Sequence, residues 1–313
     1  TPGGITLRIG VFFDGTGNNK ANSETVAACY APDANLAEAA AEIQQHCATY
    51  GYDGDGNSPD NSYGNDVSNI ARLYELYTDD TYKLLPVSAK TASIAVYIEG
   101  VGTKSNDADS LYSQATGRGE TGVVARVEQS PTVIRQQIRQ LIERNPALVI
   151  QRIEFDIFGF SRGAAAARHF ANEVLKGNEG LLAKSLSSGL VEGFNWRFKV
   201  DTEINFIGLF DTVAAIANPW LLDFTGANSR NPGLELKLPD GCANKIVHLV
   251  ARDEYRENFA LNSLGDIDLV LPGAHSDLGG GYLPKAKEKL LLSNPLTSTI
   301  SRDKDATRSA AYA

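Results

Sequence analysis

Six segments of the chain carry branched and aromatic residues in runs of strand length. They are Ile5 to Phe13, Ser93 to Ile98, Arg152 to Phe158, Ile204 to Phe210, Lys245 to Ala251 and Ile267 to Leu271. Several are nearly continuous apolar runs, as parallel strands covered on both faces must be. Between them, apolar residues recur at helical spacing. Asp66 to Tyr77 puts Ile70, Leu73 and Tyr77 on one face. Ser130 is placed to cap, and Pro131 to start, a second helix with Val133, Ile134, Ile138, Leu141 and Ile142 on its apolar stripe. That helix should end near Asn145-Pro146. A third runs from Ala164 through Leu175. Alternating β and α elements predict an α/β fold of the α/β-hydrolase kind, with a doubly wound, mostly parallel sheet and helices on both faces.

Three stretches interrupt this alternation. Residues 18–66 form a long insertion that ends rich in Gly, Asp and Asn. Gly102 to Gly122 is polar and reads as a loop. Residues 215–238 hold the apolar cluster Trp220, Leu221, Leu222 and Phe224 in loop-like surroundings. That cluster is either ordinary core or a lid over a lipid-binding crevice. The whole is expected to be one catalytic domain over residues 1–292. Residues 293–313 would be a tail or the start of a further region.

Composition narrows the classes. A chain of 313 residues can bury a substantial core. Its net charge of −9 argues against nucleic-acid binding and against attraction to anionic lipid, so contact with a membrane would be apolar. No apolar run reaches the length of a membrane-spanning helix. Thr1-Pro2-Gly3-Gly4 leads directly into the first strand without the pattern of a secretory signal. That suggests a cytosolic protein, or one exported without a cleaved signal. Cys29, Cys47 and Cys242 form no C-x-x-C pair, so no zinc site is expected. Cys29 and Cys47 flank a helix-like segment and are either a disulfide or two free thiols. Asp53-x-Asp55-x-Asn57 begins like a calcium loop but lacks its glycine and terminal glutamate, and reads as a solvated turn.

The chemistry centres on Gly159-Phe160-Ser161-Arg162-Gly163, a G-x-S-x-G pentapeptide between a predicted strand and a predicted helix. There the serine would stand on a sharp turn with a helix N-terminus behind it. A hydroxyl needs a base, and the base needs an orienting carboxylate. Of the four histidines, His46 belongs to the insertion, His169 lies inside the helix and His248 lies inside an apolar strand. His275 follows the sixth strand on a glycine-rich loop, where a hydrolase base belongs. Asp211 ends the fourth strand, facing the crevice in which such sheets bind ligands. Ser161, Asp211, His275 is the hydrolase order of nucleophile, acid and base. Asp277 and Asp223 compete for the acid role, whereas Asp156 reads as buried and paired.

After the first strand, Asp14-Gly15-Thr16-Gly17 has two readings. Asp14 as an aspartyl nucleophile of the haloacid-dehalogenase type would need a second Asp where Thr16 stands. The favoured reading is an oxyanion loop, with the Arg162 N–H as one donor and that of Gly15 or Thr16 as the other. No cofactor and no metal are called for.

Five blocks in order carry a family resemblance. They are Phe12 to Asn19, Tyr97 to Thr103, Gly159 to Ala165, Leu209 to Val213 and Pro272 to Tyr282. Together they resemble the α/β-hydrolase domain of bacterial type VI secretion lipase effectors. The resemblance implies a Ser-Asp-His phospholipase delivered by type VI secretion, acting on membranes from the periplasm of a target bacterium. It also implies a cognate immunity protein and a partner in the secretion apparatus. An esterase of soluble substrates and a catalytically inactive binding module remain the alternatives.

Overall fold

The computed structural model describes residues 4–30, 36–54, 58–110, 122–214, 233–256 and 259–283. All six expected strands form one sheet: β1 (Ile5–Phe13), β2 (Thr91–Ile98), β3 (Ile150–Phe160), β4 (Thr202–Phe210), β5 (Lys245–Ala251) and β6 (Asp268–Leu271). Their order is β2-β1-β3-β4-β5-β6, and every neighbouring pair is parallel. The chain goes from β1 to one side to place β2, then returns past β1 to place β3. The switch point therefore lies between the C-terminal ends of β1 and β3, where open α/β sheets hold their ligands.

Strand alternation decides what each face buries. Phe13 points to one side and meets Phe170, while its neighbour Phe12 points to the other and meets Tyr74 and Tyr77. The first face is covered by α5 (Val123–Arg144) and α6 (Arg162–Leu175), which share the main core with Leu7, Ile9, Val11, Ile153, Phe155 and Ile157. The second is covered by α4 (Asn69–Leu76), whose Ile70 packs with Phe12, Ala95 and Phe160. Helix α4 begins where its cap directs, with Ser68 Oγ accepting the Ala71 N–H at 3.1 Å.

Helix α5 departs from expectation. It starts at Val123 and runs unbroken through Pro131 instead of starting there. Proline at that position leaves the Val127 carbonyl without its usual i+4 donor. The Ser130 hydroxyl supplies one, donating to Val127 O at 2.7 Å. The serine expected to cap a helix thus repairs one from within.

The insertion after β1 carries α1 (Lys20–Thr25), α2 (Ala27–Tyr30) and α3 (Ala41–Thr49). Val26, Cys29, Leu36, Cys47 and Tyr52 form its own small core, and Cys29 is joined to Cys47. Cys242 is a buried free thiol. Trp220, Leu221, Leu222, Asp223 and Phe224, Asp55 and Asn57, and the tail from 293 lie outside the described residues.

Candidate active site

At the end of β3 the chain turns so sharply that Ser161 has φ 57° and ψ −124°, a strained conformation for a residue with a side chain. Two glycines make the turn possible. A Cβ at Gly159 would lie 2.3 Å from the Gly163 carbonyl oxygen, and one at Gly163 would lie 2.2 Å from that of Asp14. Backbone contacts this close admit no side chain. Helix α6 starts immediately after Ser161, so its first-turn amides open toward the space beside the serine.

Asp211 sits at the end of β4, also at positive φ (43°). Its amide donates to Leu249 O at 2.7 Å, and its Oδ1 accepts the Ala251 N–H at 2.9 Å. Its other oxygen lies 2.6 Å from His275 Nδ1, with both side chains almost wholly buried. The turn beyond Asp211 ties back to the nucleophile's own backbone, with Val213 N–H donating to Ser161 O at 3.2 Å.

His275 opens the short helix α7 (His275–Gly279) and lies between two aromatic rings. Phe160 is 4.7 Å away and Phe259 is 4.8 Å away, centroid to centroid. Its amide donates to Glu254 Oε2 at 3.2 Å. Burial alone would push the Glu254 carboxyl up, but the Arg256 guanidinium and the amides of Arg256 and His275 bring it down to about 2. Asp277 is not an orienting partner. Its Oδ2 accepts the Ala274 N–H at 2.7 Å and caps the helix that carries the histidine. Asp156 accepts from Tyr77 Oη and Asn205 Nδ2, buried and paired as its strand position suggests.

Ser161 and His275 line one cavity of about 160 Å³ with Thr16, Asn18, Phe160, Arg162, Val213, Phe259 and Tyr282. The loop after β1 closes one wall. Of its two candidate donors, Gly15 is engaged elsewhere, its N–H donating to Asp14 Oδ1 at 2.8 Å. Thr16 faces the cavity, and its hydroxyl has no hydrogen-bond partner among the described residues. Burial lowers the Arg162 guanidinium pKa to about 10.

Asp14 is only 2 % exposed, and its carboxylate takes hydrogen bonds from Tyr97 Oη, Ser68 Oγ and the Gly15 N–H. A carboxylate so enclosed is a support for the loop and not a nucleophile. Burial raises its pKa to about 6, opposed by those three donors. Sequence reasoning did not bring Asn18, Tyr282 or Phe259 to the cavity. Phe259 lies in an irregular stretch with no periodicity to mark which way it points. Among the described residues no cluster could hold a metal ion.

Residues 190–301 match the family model described as type VI secretion system phospholipase effector Tle1-like, catalytic domain. That window holds Asp211 and His275, while Ser161 lies before it. A solved structure of the Tle1 effector bound to the VgrG spike of the type VI secretion system is 36% identical to the chain. It aligns with 89% of this chain and 52% of its own, at a TM-score of 0.60. The chain is similar to the Tle1-like type VI phospholipase effectors. It spans about half the length of that Tle1 effector. An uncharacterized protein from Pseudomonas aeruginosa is 21% identical, over 89% of this chain and 42% of its own, with a TM-score of 0.46. No curated protein matches the chain. The Tle1-like match and the all-parallel sheet agree on an α/β-hydrolase-like fold.

Proposed function

We propose that the chain is a serine hydrolase that cleaves carboxylic ester bonds of phospholipids, as an antibacterial effector of type VI secretion. The observation that carries the chemistry is the pairing of His275 Nδ1 with Asp211 at 2.6 Å, on an imidazole that shares its cavity with the strained Ser161. The choice of lipid as substrate rests on the likeness to Tle1-like phospholipase effectors.

In this reading, Ser161 Oγ attacks the ester carbonyl while His275 Nε2 takes its proton. Asp211 holds the imidazolium that forms. The oxyanion develops at the start of α6, where the Arg162 N–H and the Thr16 end of the β1 loop supply donors. Collapse of the tetrahedral intermediate expels the alcohol, which takes the proton from His275. Water then releases the fatty acid by the same route. The Cys29–Cys47 disulfide suits an oxidising compartment such as the periplasm of a target cell. A secretion-spike component and a cognate immunity protein are the expected partners.

The test gives purified protein diacyl phospholipid vesicles and, separately, a short soluble ester, with products identified by mass spectrometry. Free fatty acid and lysophospholipid are expected from vesicles. Ser161→Ala should lower kcat on the order of 10⁶-fold while leaving the fold intact. Near-normal turnover by that variant would sink the nucleophile assignment. Cleavage of the soluble ester with no action on vesicles would sink the lipid assignment.

A further inference from the structure

Against the residue that follows Asp211 stands a second histidine–aspartate pair, which the proposed reaction does not use. His248, in the middle of β5, has no exposed surface, and both of its ring nitrogens are engaged. Nδ1 lies 2.7 Å from Asp268 Oδ1 at the start of β6. Nε2 receives the backbone N–H of Thr212 at 3.2 Å and lies 3.0 Å from the Thr212 hydroxyl. A backbone N–H can only donate, so Nε2 must hold a lone pair and Nδ1 must carry the proton. Asp268 enforces that tautomer, because a carboxylate opposite Nδ1 requires a donor there.

We infer that His248 and Asp268 position the catalytic acid, fixing the Asp211–Thr212 peptide so that the Asp211 carboxylate meets His275. The inference rests on the Ser161–Asp211–His275 reading. The Thr212 N–H belongs to the peptide that follows Asp211, so its direction sets ψ of Asp211. That residue already sits at φ 43°, a conformation that persists only where surrounding bonds over-determine it. The other bonds on this turn come from different elements. Asn262 N–H donates to Thr212 O at 2.8 Å, and Ala214 N–H donates to Asn262 Oδ1 at 2.8 Å. Arg168 of α6 donates in turn to Asn262 O at 2.7 Å. Replace His248 with an apolar side chain, and the Thr212 N–H is left buried without its acceptor. The cheapest relief is rotation of the peptide that carries Asp211.

The device also sets a condition on pH. A protonated His248 presents N–H to N–H at Thr212 and can no longer hold it. The charged groups around the ring are Asp268 from β6, Asp211 from β4 and Arg168 from α6. Burial keeps His248 below the ordinary histidine range, and Arg168 adds to that, while Asp268 and Asp211 oppose it. Burial thus favours the neutral ring that the Thr212 N–H requires.

The test is a double-mutant cycle on a short soluble ester, with folding followed by circular dichroism. His248→Leu should lower kcat on the order of 10²-fold, as small misplacements in active sites do, and leave KM nearly unchanged. His248→Gln should recover most of that loss, since a carboxamide oxygen can accept the Thr212 N–H. In the Asp211→Asn enzyme, His248→Leu should cost little more, because residues acting through one another are not additive. Equal fold-losses in both backgrounds, or near-wild-type kcat in His248→Leu while Ser161→Ala is dead, overturn the positioning role and leave the triad standing. Should His248→Leu fail to fold, ¹⁵N NMR of the wild-type ring decides. A neutral Nδ1–H tautomer supports the assignment, and a neutral Nε2–H tautomer overturns it.

Discussion

Ser161 and Asp211 are both held at positive φ, and each is bonded to the other's turn, through Ser161 N–H to Phe210 O and Val213 N–H to Ser161 O. Strain of this kind costs about 1–3 kcal/mol per residue and must be met by the surrounding bonds. The two side chains are therefore placed as a unit. His275→Ala should be as damaging as Ser161→Ala, whereas Asp211→Asn should lower kcat on the order of 10⁴-fold, because the acid orients and does not react. Steady-state kinetics on a soluble ester checks both. Asp14 offers a test of another kind. Its folded pKa of about 6 lies above the ordinary 3.8, so the folded state binds more protons between those values. Its contribution to stability is thus greatest at low pH and is lost as pH rises through about 6, by up to about 3 kcal/mol. Denaturant unfolding of wild type and Asp14→Asn at pH 4.5 and 7.5 should show that difference. A gap independent of pH would place Asp14 elsewhere. Chain order and position past a strand were enough to nominate Ser161, Asp211 and His275, which the fold brings together. They could not separate Gly15 from Thr16, because both follow the same strand; in the structure the Gly15 N–H is bonded to Asp14 and Thr16 lines the cavity.

At the scale of elements, strands were the most legible, since buried parallel strands are apolar on both faces and stand out as runs. Helix α5 was half legible. Pro131 is a start signal in most settings, and the Ser130 bond that lets the helix pass through it is a side-chain detail that no spacing reveals. The insertion was visible as a break, and its pairing of Cys29 with Cys47 was one of two open readings. That bond closes a sequence separation of 18 and staples a core of five buried residues. Such a closure stabilises by about 3 kcal/mol through the unfolded chain. Cys29→Ser with Cys47→Ser should lower the unfolding temperature, and a reductant should do the same to wild type but not to the double variant. Since α1 and α2 follow directly on the loop that walls the cavity, limited proteolysis should find the reduced insertion cut first.

For the whole molecule, a net charge of −9 bears on the proposal that its substrate is lipid. Anionic headgroups repel such a protein, and salt screens the repulsion within about 10 Å at 0.1 M. Hydrolysis of vesicles should therefore fall as their anionic fraction rises, and added salt should restore part of it. Faster turnover on anionic vesicles would mean that a local basic surface outweighs the net charge. The order of the strands was beyond the reach of sequence patterning, because each pairing joins segments far apart and apolar runs do not name their partners. That order has a consequence for how the protein is made. β1 precedes the other five strands in the chain and lies inside the sheet, with β3 as one neighbour. Its partner residues there begin at Ile150, so the nascent chain carries an apolar strand with an unsatisfied edge until roughly 140 more residues have been added. At the usual ~5–20 residues per second, that wait is about 7–28 s. The same topology that gathers Ser161, Asp211 and His275 at one end of the sheet thus leaves the growing polypeptide with an unpaired apolar strand before any of them has met.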